Sequence, residues 1–138
     1  MGLAEKQQQM IADLALIENA QERLAAIVDR ARTRPPLAET ERVDANRVRG
    51  CVSLAWLVAE TDAGRCRFRC DADSPLVRGL LVLLCDLYSG ATPAEVAAVE
   101  PVLLEQLSLA QNLSPTRLNG LHSVRTRIRD FAAAQTRL

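Results

Sequence analysis

The side chains able to do chemistry in this chain are four cysteines, Cys51, Cys66, Cys70 and Cys85, a single histidine, His122, and many arginines set against one lysine, Lys6. Cys66 and Cys70 have a four-residue spacing that can belong to a metal clip. The alternation around them predicts a strand, which would hold the two thiols on one face about 13 Å apart, too far for one ion. A structural zinc site also needs two more ligands, and Cys51, Cys85 and His122 are remote in sequence. No metal is therefore expected, and Cys66, Cys70 and Cys85 read as core fillers, because a buried free cysteine behaves as a small hydrophobe. Cys51 is different. It ends the segment Asn46-Arg47-Val48-Arg49-Gly50-Cys51, where Gly50 permits a sharp turn and a loop-tip thiol. The nearby Arg47 and Arg49 charges favour thiolate, the nucleophilic form. Spacing alone still favours an inert thiol there. His122 reads as an exposed helical histidine rather than a general base for a cysteine nucleophile. The last helix carries Arg117, Arg125, Arg127, Arg129 and Arg137 against Asp130 alone; a solvated face is the plain reading, and a docking surface for an acidic protein or phosphate the alternative. Gly-rich phosphate loops, HExxH, GxSxG and paired catalytic carboxylates are absent.

The elements that must position these residues follow from periodicity. Leu3, Met10, Ile11, Leu14 and Ile17 recur at helical spacing. Asn19 with Glu22 makes an approximate capping box for a second helix, with Leu24, Ile27 and Val28 on one face and Pro35-Pro36 beyond its end. Thr40 to Arg49 is polar and reads as a loop leading into a strand. Val52 to Ala59, with Val52, Leu54, Trp56 and Val58 at period two, and Arg65 to Cys70 form a hairpin about Thr61-Asp62-Ala63-Gly64. Cys66, Phe68 and Cys70 should face the core, and Arg65, Arg67 and Arg69 water. Asp73 or Ser74 caps a helix running from Pro75 to Tyr88, which Gly90 ends. Thr92-Pro93-Ala94-Glu95 opens a short helix, Leu103 to Leu109 is another, and Ser114-Pro115 opens the last, to about Thr136. Helices, antiparallel strands, then helices describe an α+β domain.

At 138 residues the chain is expected to be one domain, 1–138, able to fold without disulfides or metal. Lys+Arg and Asp+Glu are both 17, and aromatics are 3%, which argues against a dedicated nucleic-acid partner. The longest apolar runs are too short to span a bilayer, and the charged start does not read as a secretory signal, so no membrane is expected and a cytoplasmic location with reduced thiols is.

Arg42 and Asn46-Arg47-Val48-Arg49-Gly50-Cys51-Val52-Ser53-Leu54-Ala55-Trp56 resemble the SufE-family pattern NRVxGCQSQVW. Three further blocks agree in order: Asp71-Ala72-Asp73 followed by Leu76-Val77-Arg78-Gly79-Leu80, then Tyr88-Ser89-Gly90-Ala91-Thr92-Pro93, then Leu113-Ser114-Pro115-Thr116-Arg117-Leu118-Asn119-Gly120-Leu121. The resemblance covers about residues 10 to 135. Val52 and Leu54 stand where the family usually has Gln, and Ala20 and Ala25 where it has aromatics. The resemblance implies a small antiparallel sheet of about three strands packed with helices, a fold shared with IscU-type cluster scaffolds. It implies a sulfur acceptor for iron–sulfur cluster assembly rather than a stand-alone enzyme, with Cys51 taking a persulfide sulfur from a PLP-dependent cysteine desulfurase of the SufS or CsdA type and passing it to a downstream iron–sulfur scaffold. The chain itself would need no cofactor. A docking face must surround Cys51, which makes Arg49, Gly50, Val52 and the Asp71–Asp73 stretch candidates, since the hairpin's far end can return near its start; the resemblance puts Asp73 and Arg117 in family motifs near the same face. A cluster scaffold, or a non-catalytic module of the same fold, is the alternative.

Overall fold

In the computed structural model, residues 1–50 and 54–137 are described, apart from the side chain of Asn112. Helix α3 (Pro75–Tyr88) is the centre of the core, with α1 (Leu3–Ala15) and α2 (Ala20–Ala31) packed against it. The most apolar stretch of the chain becomes α3, which starts where the Ser74 side chain accepts from the Val77 N–H and Pro75 occupies the first turn. It buries residues on all sides, among them Leu80, Leu81, Leu83, Leu84, Leu87 and Tyr88, which a helix can do only when other elements surround it. Asn19 caps α2 through the Gln21 and Glu22 N–H groups. Arg23 is buried and donates to the carbonyls of Leu14, Ile17 and Leu107, satisfying the free end of α1. Lys6 does the same for α3, donating to the Asp86 and Ser89 carbonyls.

The hairpin consists of β1 (Ala55–Asp62) and β2 (Arg65–Ala72), antiparallel, joined by the two residues Ala63 and Gly64, both at positive φ as a tight primed turn requires. Leu57 lies opposite Cys70, Ala59 opposite Phe68 and Thr61 opposite Cys66. Cys66, Phe68 and Cys70 are buried, whereas Arg65 and Arg67 are exposed and Arg69 is half-buried between Glu41 and Glu60. The expected parity of β2 therefore holds. That of β1 does not: the core face is Ala55, Leu57 and Ala59, while Trp56 and Val58 share the outer face with Asp71 and Arg69. Trp56 is nevertheless buried on that face, with the Arg42 guanidinium over its ring at 5.6 Å.

The class is α+β, but among the described residues the sheet has two strands rather than about three. A single bridge between Arg47 and Trp56 marks where a third would begin, and the turn at Gly50 (φ +82°) ends the extended path there. Two 3₁₀ turns, Glu39–Glu41 and Asp44–Asn46, shape the approach to it. The remaining helices are α4 (Pro93–Ala98), with a full capping box between Thr92 and Glu95, α5 (Leu103–Gln106) and α6 (Pro115–Thr136), capped by Ser114.

Candidate functional site

The loop that contains residues 51–53 is fixed at both feet. On the near side the Val48 N–H donates to the Ala55 carbonyl (2.8 Å); on the far side the Asp73 N–H donates to the Leu54 carbonyl (3.0 Å). Helix α6 holds the near foot from below. Arg127 donates from one guanidinium nitrogen to the Arg47 carbonyl (2.7 Å) and from the other to the Ala45 carbonyl (3.2 Å). Gly50 lies against the same helix: a Cβ there would sit 3.1 Å from Ser123 Oγ, and its φ of +82° belongs to the left-handed region. Any other residue would be strained and crowded at once. Cys51, the candidate nucleophile, and Val52 lie outside the described residues.

Two concavities flank the feet. One is a small apolar cavity of about 10 Å³, with Val48, Ala55, Leu80, Leu121 and Val124 in its wall and the half-buried Arg117 beside them. The other is an open polar groove of about 670 Å³ between the Asp44–Arg49 stretch and α6, bearing Arg47, Arg49, His122, Ser123 and Arg127. The expected positions lie as follows. Arg49 is exposed in the groove, Gly50 touches its wall, Arg117 lies at the cavity, and Asp73 is exposed with its backbone on the loop's far foot. His122 is exposed and shares the groove with Arg49.

Asp71 is a correction. The sequence motif puts it on the docking rim with Asp73, yet it is 3% exposed. Its Oδ1 accepts from Arg78 Nε (3.0 Å) and the Ala72 N–H (2.9 Å); its Oδ2 accepts from the Leu37 N–H (3.0 Å) and from Arg42. Burial alone would raise its pKa, but the bonds from Arg42, Leu37 and Ala72 and the Arg42 charge outweigh that, and the carboxyl is held below the ordinary carboxylate range. Arg78 continues the network to the carbonyls of Ala31 and Arg34, at the end of α2. Arg42, Asp71 and Arg78 all stand in the sequence motifs, but their pairing is not visible there, because Asp71 is 29 residues from one and 7 from the other. Arg127 carries no signal beyond its place on a basic helix.

Two of the three described thiols are poor nucleophiles. Cys66, Cys70 and Cys85 are all buried and free. The Cys70 thiol beside it, together with burial, pushes the Cys85 thiol well up, and burial pushes up that of Cys66, so both stay protonated at neutral pH. Among the described residues no three His, Cys, Asp or Glu side chains converge where they could hold a metal, and no helix is long and apolar enough to cross a membrane.

The sequence profile of the SufE family, described as an Fe-S metabolism associated domain, matches residues 8–132. A SufE-like protein of Rhizobium etli is 34% identical over 129 residues, spanning 90% of this chain and 87% of that one. A SufE-like protein of Synechocystis is 35% identical over 89 residues, 64% of this chain and 56% of its own. The chloroplastic quinolinate synthase of rice is 46% identical over 90 residues, which are 64% of this chain but 13% of that enzyme. The solution structure of a hypothetical protein from Thermus thermophilus superposes with a TM-score of 0.73 at 21% identity, covering 96% of this chain and 97% of that one, a likeness of fold. With the loop motif, the α+β frame and a family profile running nearly end to end, the chain belongs to the SufE family and has a role in Fe–S metabolism.

Proposed function

We propose that the protein is a cytoplasmic sulfur acceptor that takes a sulfane sulfur onto Cys51 from a PLP-dependent cysteine desulfurase, stimulates that enzyme, and hands the sulfur on to an iron–sulfur scaffold. The step is a thiol–persulfide exchange. The Cys51 thiolate attacks the terminal sulfur of the donor R–S–SH. A bond forms between Cys51 Sγ and that sulfur, the donor S–S bond breaks, and the donor leaves as thiolate. Protons balance as Cys51–SH plus R–S–SH giving Cys51–S–SH plus R–SH.

The observation that supports this most is the burial of the other three thiols, Cys66, Cys70 and Cys85. Arg47 and Arg49 lie just ahead of Cys51 in the chain, and positive charge there favours thiolate. The residues on either side of positions 51–53 are held by two backbone bonds and the Gly50 contact, and a transfer site needs such support around it. Arg49, Gly50, Asp73 and Arg117 are assigned to the surface that meets the partner.

The test is intact mass after incubation with a cysteine desulfurase and cysteine. A gain of about 32 Da per sulfur that reducing agent removes, present in wild type and lost in Cys51→Ser, supports the acceptor. Iron-dependent visible absorbance in its place would support a cluster scaffold, and no change a non-catalytic module.

A further inference from the structure

Among the described residues, nine arginines pair with a carboxylate: Arg30, Arg32, Arg34, Arg42, Arg67, Arg69, Arg78, Arg125 and Arg129. The other described arginines do not, and four of these, Arg47, Arg49, Arg117 and Arg127, stand around the feet of the 51–53 loop. In a chain whose formal charges sum to zero, such segregation leaves a local positive surplus. Arg127 directs its donors to two neutral carbonyls, so its bonds leave its charge uncompensated. Three of the four arginines share the open groove with one carboxylate, Asp44, and Ser123 joins the groove to Gly50, the residue before Cys51.

We infer that this groove receives a net-acidic segment, bearing Asp or Glu side chains, of the protein that delivers sulfur to Cys51; the inference rests on the acceptor reading above. A single small anion does not account for an open trough of about 670 Å³ with half-exposed cations spread along it. A nucleic acid fits less well, since its unbroken row of phosphates would run over Asp44 and the surface offers few aromatics on which bases could stack. Interspersed carboxylates can meet the arginines and avoid Asp44. Because the groove runs up to Gly50, an acidic segment lying in it brings the donor's reacting group to the loop. Exposed charges of this kind act chiefly on encounter rate and orientation.

The experiment uses two substitutions in the groove, Thr126→Glu and Asp44→Lys, at residues whose side chains make no hydrogen bond or ion pair among the described residues. Sulfur uptake is measured from two donors, a PLP-dependent cysteine desulfurase of the same organism and glutathione persulfide. At about 25 mM salt Thr126→Glu should slow uptake from the enzyme severalfold and Asp44→Lys should speed it, both effects shrinking at about 0.5 M salt as the screening length falls below about 5 Å. Uptake from glutathione persulfide, a small anion that feels the charge but cannot lie along the groove, should change by a much smaller factor in both variants. Unchanged enzyme-dependent rates in both variants, or equal changes with both donors, overturn the inference. A parallel NMR titration with hexaglutamate should shift the amides of Arg49, His122 and Thr126. Tighter binding of a single-stranded oligonucleotide at equal salt would assign the groove to nucleic acid and overturn it too. If wild type takes sulfur from neither donor, the acceptor reading has failed, and the hexaglutamate titration decides the groove by itself.

Discussion

Replacing Asp71 by Asn keeps the shape of the side chain and removes its charge, and the structure allows the cost to be worked through. The carboxylate faces four donors: Arg78 Nε and the Ala72 N–H on one oxygen, Arg42 and the Leu37 N–H on the other. An amide has one oxygen. Whichever way it turns, its NH₂ group meets two donors, so two bonds are lost and two donors are opposed. One of them is always an arginine, and Arg78 is mostly buried, with 15% of its side chain exposed. Breaking one partner of a buried, hydrogen-bonded ion pair costs about 3–5 kcal/mol. For a chain of this size that is a fall of roughly 10–15 °C in Tm. The pH dependence has a definite sign. The folded pKa of Asp71 is depressed, so its contribution is fully present above the unfolded value of about 3.9 and is lost as pH falls through the folded value. The stability gap between wild type and Asp71→Asn should therefore be flat from about pH 5 to about pH 8 and close below about pH 4. Urea unfolding at a series of pH values measures it, with the exposed Asp73→Asn as the control. A gap under about 0.5 kcal/mol at pH 7, the scatter of ordinary surface substitutions, would refute the network's role.

Gly79→Ala should destabilise by about 1–3 kcal/mol in thermal unfolding, since a Cβ there would lie 3.1 Å from the Val28 Cα and force α2 off α3. Ala63→Asn should stabilise by up to about 1 kcal/mol, because Ala63 sits at φ +52° and Asn-Gly suits the turn better. Cys66→Ala, Cys70→Ala and Cys85→Ala should each cost roughly 1 kcal/mol or more of stability, while Cys51→Ser leaves the melting temperature unchanged and abolishes sulfur uptake. Arg117→Glu should weaken desulfurase stimulation more at low salt than at high; if Arg117 serves structure alone, stimulation falls only in step with the melting temperature.

Helix starts are legible in the sequence because their chemistry is local. Asn19, Ser74, Thr92 and Ser114 each accept from an N–H two or three residues on, and Pro follows three of them. Strand β2 is legible because Cys66, Phe68 and Cys70 alternate with arginines without exception. Strand β1 misleads: its apolar period-two set includes Trp56, whose ring lies under the guanidinium of Arg42, a residue 14 positions earlier. The expected third strand is, among the described residues, a single bridge at Arg47, whose carbonyl accepts from Arg127 of α6, 80 positions away, so its outcome is not local either. The loop motif points to the right stretch of chain. The groove beside it cannot be read from the sequence, because Arg47 and Arg127 meet across 80 residues.

The Asp71-Ala72-Asp73 block shows how one short motif serves two ends. Side chains two apart on a strand should share a face, which would make the pair one acidic rim. The strand stops at Ala72, however, and the two aspartates part company. Asp71 turns inward and ties the end of β2 to the Leu37 loop, to α3 and, through Arg78, to the end of α2. Asp73 leaves its side chain outside and gives its backbone N–H to Leu54. The far foot of the loop is thus fastened through the backbone to a residue two positions from a carboxylate that four donors hold in place. The near foot depends on Arg127 and on the fit of Gly50 against Ser123. Both anchors are made by described residues on either side of positions 51–53. That division lets a Cys51 variant be read for chemistry and an Asp71 or Gly50 variant for presentation. A loss of sulfur uptake in a fully folded Gly50→Ala protein would then report the position of the loop and not the reactivity of its thiol.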